Sequence, residues 1–294
     1  MNQGFRSGFV NIFGPPNAGK STLLNALLGE QLAITSHKVQ TTRHRILGFL
    51  NDPNYQIIFS DTPGIIEPKY KLHQKMMLQV KSALEDADVA LLIADITKGP
   101  EEFAPVIEQL RLKVPTLLLL NKVDLIKDPK QLEEKVNEFK TAFSWEVLPV
   151  SALKQEPAKM LIPRLLELLP DAPPYYPQDD ISNRPTRFFV SEIVREQIYS
   201  LYQDEIPYHT AVIIQSFEEK PQLDVVKAEI IVSRETQKMI LLGKGGSGIK
   251  ELGIRSRKKM EEFLQRKVHL ELFVKVRPRW RDNEAYLREY GYDQ

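Results

Sequence analysis

The sequence predicts an α/β protein: a doubly wound, mostly parallel sheet domain followed by a smaller α+β domain of order α-β-β-α-α-β. Three observations carry this expectation. Short apolar runs alternate with longer amphipathic stretches up to about residue 170. A glycine-rich junction, GPPNAGKS at 14–21, stands between one such run and the helical pattern after it. A proline-rich break at 171–186 is followed by a different periodicity. At 294 residues the chain is long enough for two domains, each with its own core. The expected boundaries are 1–170, a linker at 171–186, and 187–294.

In chain order, FVNIF precedes STLLNALLG, YQIIFSD precedes a helical stretch to about Asp86, and DVALLIAD precedes EEFAPVIEQLRL. VPTLLLLNKVD then leads to QLEEKVNEFKTAF, and EVLPVSA to MLIPRLLELLP. Near-continuous apolar strands alternating with helices imply a parallel sheet covered on both faces. The stretch DAPPYYPQDDISNRP holds four prolines and no periodicity, so it reads as a semi-rigid connector. Beyond it, FFVSEIVREQIYSLYQ has helical spacing, and YHTAVIIQSFEE and LDVVKAEIIVS read as paired strands. ETQKMILL and IKELGIRSRKKMEEFLQ read as two helices broken at GKGG, and VHLELFVKV alternates as a closing strand.

The absence of cysteine excludes disulfides, thiolate metal sites and thiol nucleophiles, and the five histidines form no metal-ligand cluster. The first residues lack the apolar core and cleavage site of a signal peptide, and the longest apolar run, VPTLLLL, is far short of a membrane span. A cytoplasmic protein is expected, with at most a peripheral membrane contact. Net charge is +1, but Arg234 to Arg281 carries 14 basic against 5 acidic residues, a local excess of +9 that suits a polyanionic partner.

GPPNAGKS fits G-x-x-x-x-G-K-[ST] in the required strand-to-helix setting. Gly14, Pro15, Pro16, Asn17, Ala18, Gly19, Lys20, Ser21 and Thr22 are therefore candidate nucleotide contacts. Backbone N–H groups from Asn17 to Ser21 can surround a β-phosphate at a helix N-terminus, Lys20 can bridge the β- and γ-phosphates, and the Ser21 hydroxyl can bind Mg²⁺. NKVD at 121–124 follows an apolar strand, where α/β sheets bind ligands. Asp124 can accept from the guanine N1–H and 2-amino group, which adenine lacks, so GTP is favoured over ATP. Asn121 is expected to brace neighbouring loops and the Lys122 stem to cover the base. In the SAL segment Ser151, Ala152 and Leu153, the Ala152 N–H is the candidate donor to guanine O6.

DTPG at 61–64 ends a strand, so Asp61 can hold Mg²⁺ through water while the Gly64 N–H meets the γ-phosphate. The polar segment TSHKVQTTRHR can order around them. Thr42 is the expected metal-binding hydroxyl, with Thr41 its rival. Lys20, Thr42, Asp61, Gly64 and Asn17 are the residues expected to act in hydrolysis, and Ser21, Thr42 and Asp61 the metal set.

GPPNAGKS, QTTRHR, DTPG, NKVD and SAL, in this order, resemble the nucleotide motifs of the translation-factor-related GTPases and, over nearly the whole chain, the Era family of ribosome-assembly GTPases. One departure from signalling GTPases matters: Ile65 stands where they place the glutamine that orients the attacking water. The resemblance implies slow intrinsic turnover, with water ordered by backbone and metal, and in some relatives a potassium ion helped by the asparagine at the Asn17 position.

The second glycine turn, GKGG at 243–246, lacks the Lys-Ser ending and joins two helices. The element order around it is that of a type II KH module, whose G-x-x-G turn clamps single-stranded nucleic acid. Gly243, Lys244, Gly245, Gly246, Ile249, Lys250, Arg255 and Lys258 are the RNA-binding candidates, with Lys259 beside them. The tail RPRWRDNEAYLREYGYDQ can stack on bases or pack its aromatics on the domain. By resemblance the RNA is the 3′ end of small-subunit ribosomal RNA, the setting the 30S subunit, and the protein a monomer. Two rival readings are a constitutive RNA chaperone with a structural GTPase domain, and a GTPase acting at membrane surfaces.

Overall fold

The computed structural model describes residues 4–154 and 157–292. By their contacts the residues divide into two units: one of residues up to Glu67 and Met76–Asn183, the other of Pro68–Lys75 and Arg184 onward.

The first unit runs β1 (Arg6–Phe13), α1 (Lys20–Leu28), β2 (Ile46–Asp52), β3 (Tyr55–Asp61), α2 (Lys71–Glu85), β4 (Val89–Asp95), α3 (Pro100–Glu108), β5 (Thr116–Asn121), α4 (Pro129–Ala142), β6 (Glu146–Pro149) and α5 (Pro157–Leu168). The first turn of α2 is counted with the second unit. The sheet order is β2-β3-β1-β4-β5-β6. All neighbours are parallel except β2 and β3. In β4, Val89 to Ala94 are all buried, as expected of a strand covered on both faces. One core layer gathers Phe13, Leu92, Leu118 and Leu120 under Phe103 of α3 and Phe139 of α4. The phosphate-loop glycines and Asn121 lie at the carboxyl ends of β1 and β5, on either side of β4.

Two features depart from the sequence reading. ILGFLND at 46–52, left unassigned beside the polar stretch before it, forms the antiparallel edge strand β2, joined to β3 through a two-residue turn at Pro53 and Asn54. The proline-rich stretch, read as a semi-rigid connector over 171–186, is counted with the first unit as far as Asn183. Asp171 bridges Arg6, Ser182 bridges Gly48, and the Phe49 N–H donates to Ile181 O at 3.0 Å. The buried Gln56 amide accepts from the N–H groups of Tyr175 and Tyr176 and donates to Tyr176 O. Tyr176 stacks on Phe49 at 4.2 Å. Proline lacks the amide hydrogen a continuing ladder needs, so the edge is covered by side-chain and isolated backbone bonds.

The second unit holds α6 (Thr186–Leu201), the short α7 (Ile206–His209), β7 (Ala211–Glu219), β8 (Asp224–Val232), α8 (Glu235–Leu242), α9 (Ser247–Leu264), β9 (Val268–Val276) and α10 (Glu284–Glu289). β7 and β8 pair antiparallel and β8 and β9 parallel, giving α-β-β-α-α-β with the added α7 and α10. One face packs Val226, Ala228, Ile230 and Val232 against Val190, Val194 and Ile198 of α6 and Leu252 and Met260 of α9. Of the two readings of the aromatic tail, packing holds for Trp280. It is fully buried, its indole N–H donates to His209 O at 3.0 Å, and Tyr292 stacks on it. Within this unit the segment 68–75 meets the turn before α10: the Lys71 N–H donates to Asp282 at 3.3 Å, Lys71 Nζ pairs with Glu284 at 3.0 Å, and the Arg281 guanidinium lies 4.3 Å from the Tyr70 ring centroid.

Candidate functional site

The turn between β1 and α1 bends through residues that ordinary side chains disfavour: Asn17 has φ 62° and Gly19 φ 106°. At Gly19 a side chain is also excluded by space, because a Cβ would lie 2.2 Å from Asn121 Nδ2. This close approach lets the phosphate loop and the NKVD loop share one side chain. Asn121 Nδ2 donates to Ala18 O at 2.8 Å, and Asn121 Oδ1 accepts the Ala152 N–H at 2.9 Å. The bracing role expected of Asn121 is thus visible. The Ala152 N–H, expected to reach guanine O6, lines the cleft and donates here to Asn121 Oδ1. The Ala18 N–H likewise turns back to Pro15 O, at 3.4 Å.

Around these loops lies a cleft of about 470 Å³. Pro16, Asn17, Gly19, Lys20, Ser21, Thr22, Thr42, Gly64, Asn121, Lys122, Asp124, Ala152 and Leu153 line it. Gly14 and Pro15 sit behind the loop and offer their carbonyls to Lys20 Nζ at 3.1 and 2.9 Å. Burial lowers the Lys20 pKa to about 8, with the charge of Asp61 acting in the opposite direction. At the base end Ser151 Oγ donates to Asp124 Oδ1 at 2.5 Å, Leu153 is 77% exposed, and Lys122 Nζ pairs with Asp95 at 2.6 Å. Burial acts to raise the Asp95 pKa, but hydrogen bonds from Lys122 and Thr97 outweigh it and hold the carboxyl below its usual range. Asp95, the last residue of β4, anchors Lys122 and was missed in the sequence; its position at a strand end beside β5 was the available signal.

At the phosphate end, Ser21 Oγ donates to Asp61 Oδ2 at 2.7 Å, Thr42 Oγ1 donates to the same oxygen at 2.9 Å, and the two hydroxyls are 2.8 Å apart. Thr42, rather than Thr41, therefore meets the expected partners. Burial raises the Asp61 pKa against the pull of Lys20 and both hydroxyls, and Asp61 Oδ1 is buried without a hydrogen-bond partner. A set of hard oxygens with one unsatisfied carboxylate atom fits Mg²⁺. Among the described residues no group of three His, Cys, Asp or Glu forms another metal cluster. Ile65 is buried in the core and Ile66 faces the cleft. Asn17 Nδ2 donates to the carbonyl of His37 at 2.7 Å, a partner that the motif reading did not name.

In the second unit the GKGG turn stands at the N-terminus of the 18-residue α9. Gly245 and Gly246 have φ 60° and 80°, Lys244 is exposed, and the Gly246 N–H returns to Gly243 O at 3.2 Å. Beside it a groove of about 390 Å³ is lined by Ile249, Lys250, Gly253, Ile254, Arg257, His269, Leu270 and Leu272. Ile249 and Lys250 are where the sequence placed them, but Arg255 and Lys258 are not on the groove wall. On a helix Arg257 returns to the face of Lys250 seven residues on, whereas five residues bring Arg255 well round the cylinder, where it pairs with Glu251 at 2.6 Å. Lys258 is exposed off that face, and Lys259 is tied to Glu196 at 2.8 Å. Gly253, Ile254, Arg257, His269, Leu270 and Leu272 are the lining residues that the sequence did not single out.

Fold and site together define a guanine-nucleotide-binding P-loop GTPase joined to a type II KH domain. The comparisons agree in both halves. A family model described as "50S ribosome-binding GTPase" matches residues 9–122, and a KH domain model matches 205–281. The "GTPase Era" of Geobacter sp. (strain M21) is 44% identical over 98% of this chain and 98% of its own. A chloroplastic "GTPase ERA-like" protein of Oryza sativa subsp. japonica is 44% identical over 98% of this chain and 69% of its own. A crystal structure of Era with MgGDPNP and nucleotides 1506–1542 of 16S ribosomal RNA superposes with a TM-score of 0.94 at 42% identity, covering 99% of this chain and 100% of that one. A point variant of Aquifex aeolicus Era bound to GDP·AlF4⁻ gives 0.94 at 41%, with the same coverage of both chains. The chain belongs to the Era family of GTPases.

Proposed function

We propose that this protein is a GTP-hydrolysing switch that binds single-stranded RNA near the 3′ end of small-subunit ribosomal RNA and assists maturation of the 30S subunit. The observation that carries it is the presence in one chain of a guanine-selective phosphate cleft and a separate G-x-x-G groove. A 42% identical relative has been solved with MgGDPNP and a 16S ribosomal RNA segment. Nucleotide is held by the loop from Gly14 to Thr22, with Lys20 and the N-terminus of α1 facing the phosphates. Asp124 selects guanine, and Asn121 keeps the base loops in register with the phosphate loop. Ser21, Thr42 and Asp61 would hold Mg²⁺, which when bound neutralises charge on the phosphate oxygens. Gly64 brings its N–H beside the phosphate loop, where a Cβ would stand 3.0 Å from Pro16 Cα. The buried Ile65 offers no hydrogen bond to an attacking water, so turnover is slow without a further partner.

We propose potassium as a second cation beside the phosphates, with the Asn17 side-chain oxygen as its candidate ligand while Asn17 Nδ2 is held by the His37 carbonyl. Single-turnover hydrolysis in potassium against sodium buffer tests it, and equal rates reject it. RNA phosphates meet the GKGG turn and Lys250, and bases lie along Ile249, Ile254 and Leu272. Nucleotide state would set access to the RNA groove.

Crosslinking to total RNA with GTP, GDP and no nucleotide, followed by mapping, tests the whole reading. Sites at the 3′ end of small-subunit RNA, changed by nucleotide, support it. RNA affinity equal in GTP and GDP turns the reading to a constitutive chaperone. The rival reading, a peripheral contact of the basic domain with anionic membranes, is disfavoured by the G-x-x-G turn in KH order, and flotation with anionic liposomes against competing RNA separates the two. No helix among the described residues is long and apolar enough to cross a membrane. The monomer assignment is checked by sedimentation equilibrium.

A further inference from the structure

One polar cluster in the first unit stands on residues outside the lining of the nucleotide cleft and is built beside the segment that carries Thr42. Arg45 lies three residues after Thr42 and immediately before β2, and its side chain is only 13% exposed. Its guanidinium forks onto Asp86, Nη1 to Oδ2 at 2.6 Å and Nη2 to Oδ1 at 2.8 Å, and its Nε donates to Ser60 Oγ at 2.7 Å. Its own N–H donates to the Gln79 side chain on α2. The fully buried Asn11 of β1 completes the cluster, donating to Ala83 O at 2.5 Å and to Asp86 Oδ1 at 2.8 Å.

The arrangement connects both sides of the metal-facing contact. Thr42 reaches Asp61 at 2.9 Å; Arg45 is three residues from the first and is bonded to Ser60, the neighbour of the second. The Arg45 side chain also reaches Asp86, just beyond the end of α2, the helix that follows DTPG, while its backbone N–H reaches Gln79 within that helix. A solvated ion pair contributes little by itself, but a two-bonded fork whose guanidinium is mostly buried and is also tied to Ser60 of β3 holds one geometry, even though Asp86 is partly exposed. A lysine cannot replace it, because a single ammonium has no planar fork.

We infer that Arg45, through Asp86 and Ser60, is a positioning residue for GTP hydrolysis: it is the fixed end of the segment that presents Thr42 to the metal. GTP binding then has to order only the residues upstream of this anchor. GDP, which has no γ-phosphate for the ordered segment to enclose, is bound without help from it. The inference rests on the GTPase reading, so both are read in one experiment on the full-length chain.

Single-turnover GTP hydrolysis, the Mg²⁺ concentration for half-maximal hydrolysis, and GDP affinity are measured for wild type, Arg45→Gln, Arg45→Lys and Asp86→Asn. In Arg45→Gln hydrolysis falls by roughly tenfold and the Mg²⁺ requirement rises several-fold, the scale of a misplaced positioning group, while GDP affinity stays within about twofold. Arg45→Lys recovers little. The partly exposed Asp86→Asn gives the same pattern more weakly and serves where Arg45→Gln does not fold. The double variant loses no more than Arg45→Gln, because both substitutions break one unit. Unchanged hydrolysis in folded variants overturns the inference, as does a parallel loss of GDP affinity, which marks a general scaffold. A wild-type chain without GTP turnover overturns the GTPase reading itself.

Discussion

Replacing Asn121 by alanine tests how the two halves of the nucleotide site are joined. Asn121 is 2% exposed, and its amide is the bridge between Ala18 O at 2.8 Å and the Ala152 N–H at 2.9 Å. Both partners are buried, so Asn121→Ala leaves a carbonyl on the phosphate loop and an N–H on the SAL loop without their bonds. Each orphan costs about 1–3 kcal/mol if the cleft keeps its shape. If the loops instead separate to find water, the phosphate and guanine contacts no longer fit one ligand. Taking about 2–4 kcal/mol for the pair, GDP affinity falls by roughly 30- to 1000-fold at about 1.4 kcal/mol per tenfold. Isothermal titration with GDP measures it directly. Asn121→Asp, which keeps the acceptor for Ala152 but opposes a carboxylate to Ala18 O, loses at least as much. A loss under about twofold in Asn121→Ala refutes the bracing argument.

Three further outcomes are expected. The Lys20 pKa stands at about 8 in the free protein, and triphosphate raises it, so the complex holds the proton that the free protein loses; GTP affinity measured by titration falls as pH rises through 8 and is flat below about 7. Asp124→Asn weakens GTP by roughly tenfold or more in competition assays, because the amide offers one acceptor where the carboxylate offers two, and relaxes the preference for guanine. Gly245→Asp or Gly246→Asp sets a negative charge on the turn that meets phosphate; RNA binding in filter assays is lost, while GTP hydrolysis without RNA is retained.

Most of the nucleotide site was legible because its chemistry is local. Nine consecutive residues make the phosphate loop, and their spacing alone places a lysine and a hydroxyl at the start of a helix. DTPG, NKVD and SAL are each short turns at strand ends, so the strand order brings them to the loop. What escaped depends on pairs distant in sequence. Asp95 holds Lys122 across adjacent strands, and Asn121 accepts from an amide thirty-one residues away. Strand β2 was hidden because it follows a polar segment, and its pairing is supplied by β3 rather than by its own pattern.

The basic groove divides in the same way. The glycine turn and the element order are properties of contiguous chain, and they identify a clamp for a phosphate backbone. Which cations face the groove is a matter of helical phase against a neighbouring strand. Arg257 and His269 both line the groove, while Arg255 is matched to Glu251 on its own helix. The tail and linker tell the same story: aromatic and proline-rich composition announces that these stretches are not ordinary helix or strand, but only packing shows Trp280 buried over His209 and Tyr176 laid on Phe49.

By itself, then, the amino-acid order determined the two-domain α/β plan, the guanine-nucleotide chemistry and the separate phosphate-clamping turn, because periodicity and short motifs act within one or two elements. The tertiary structure alone decided which amides and carboxylates are already spent on one another, which helix face meets the groove, and that Arg45 anchors the Thr42 segment. Those outcomes depend on burial, which forces each polar group to choose a partner from whatever the fold brings within about 3 Å.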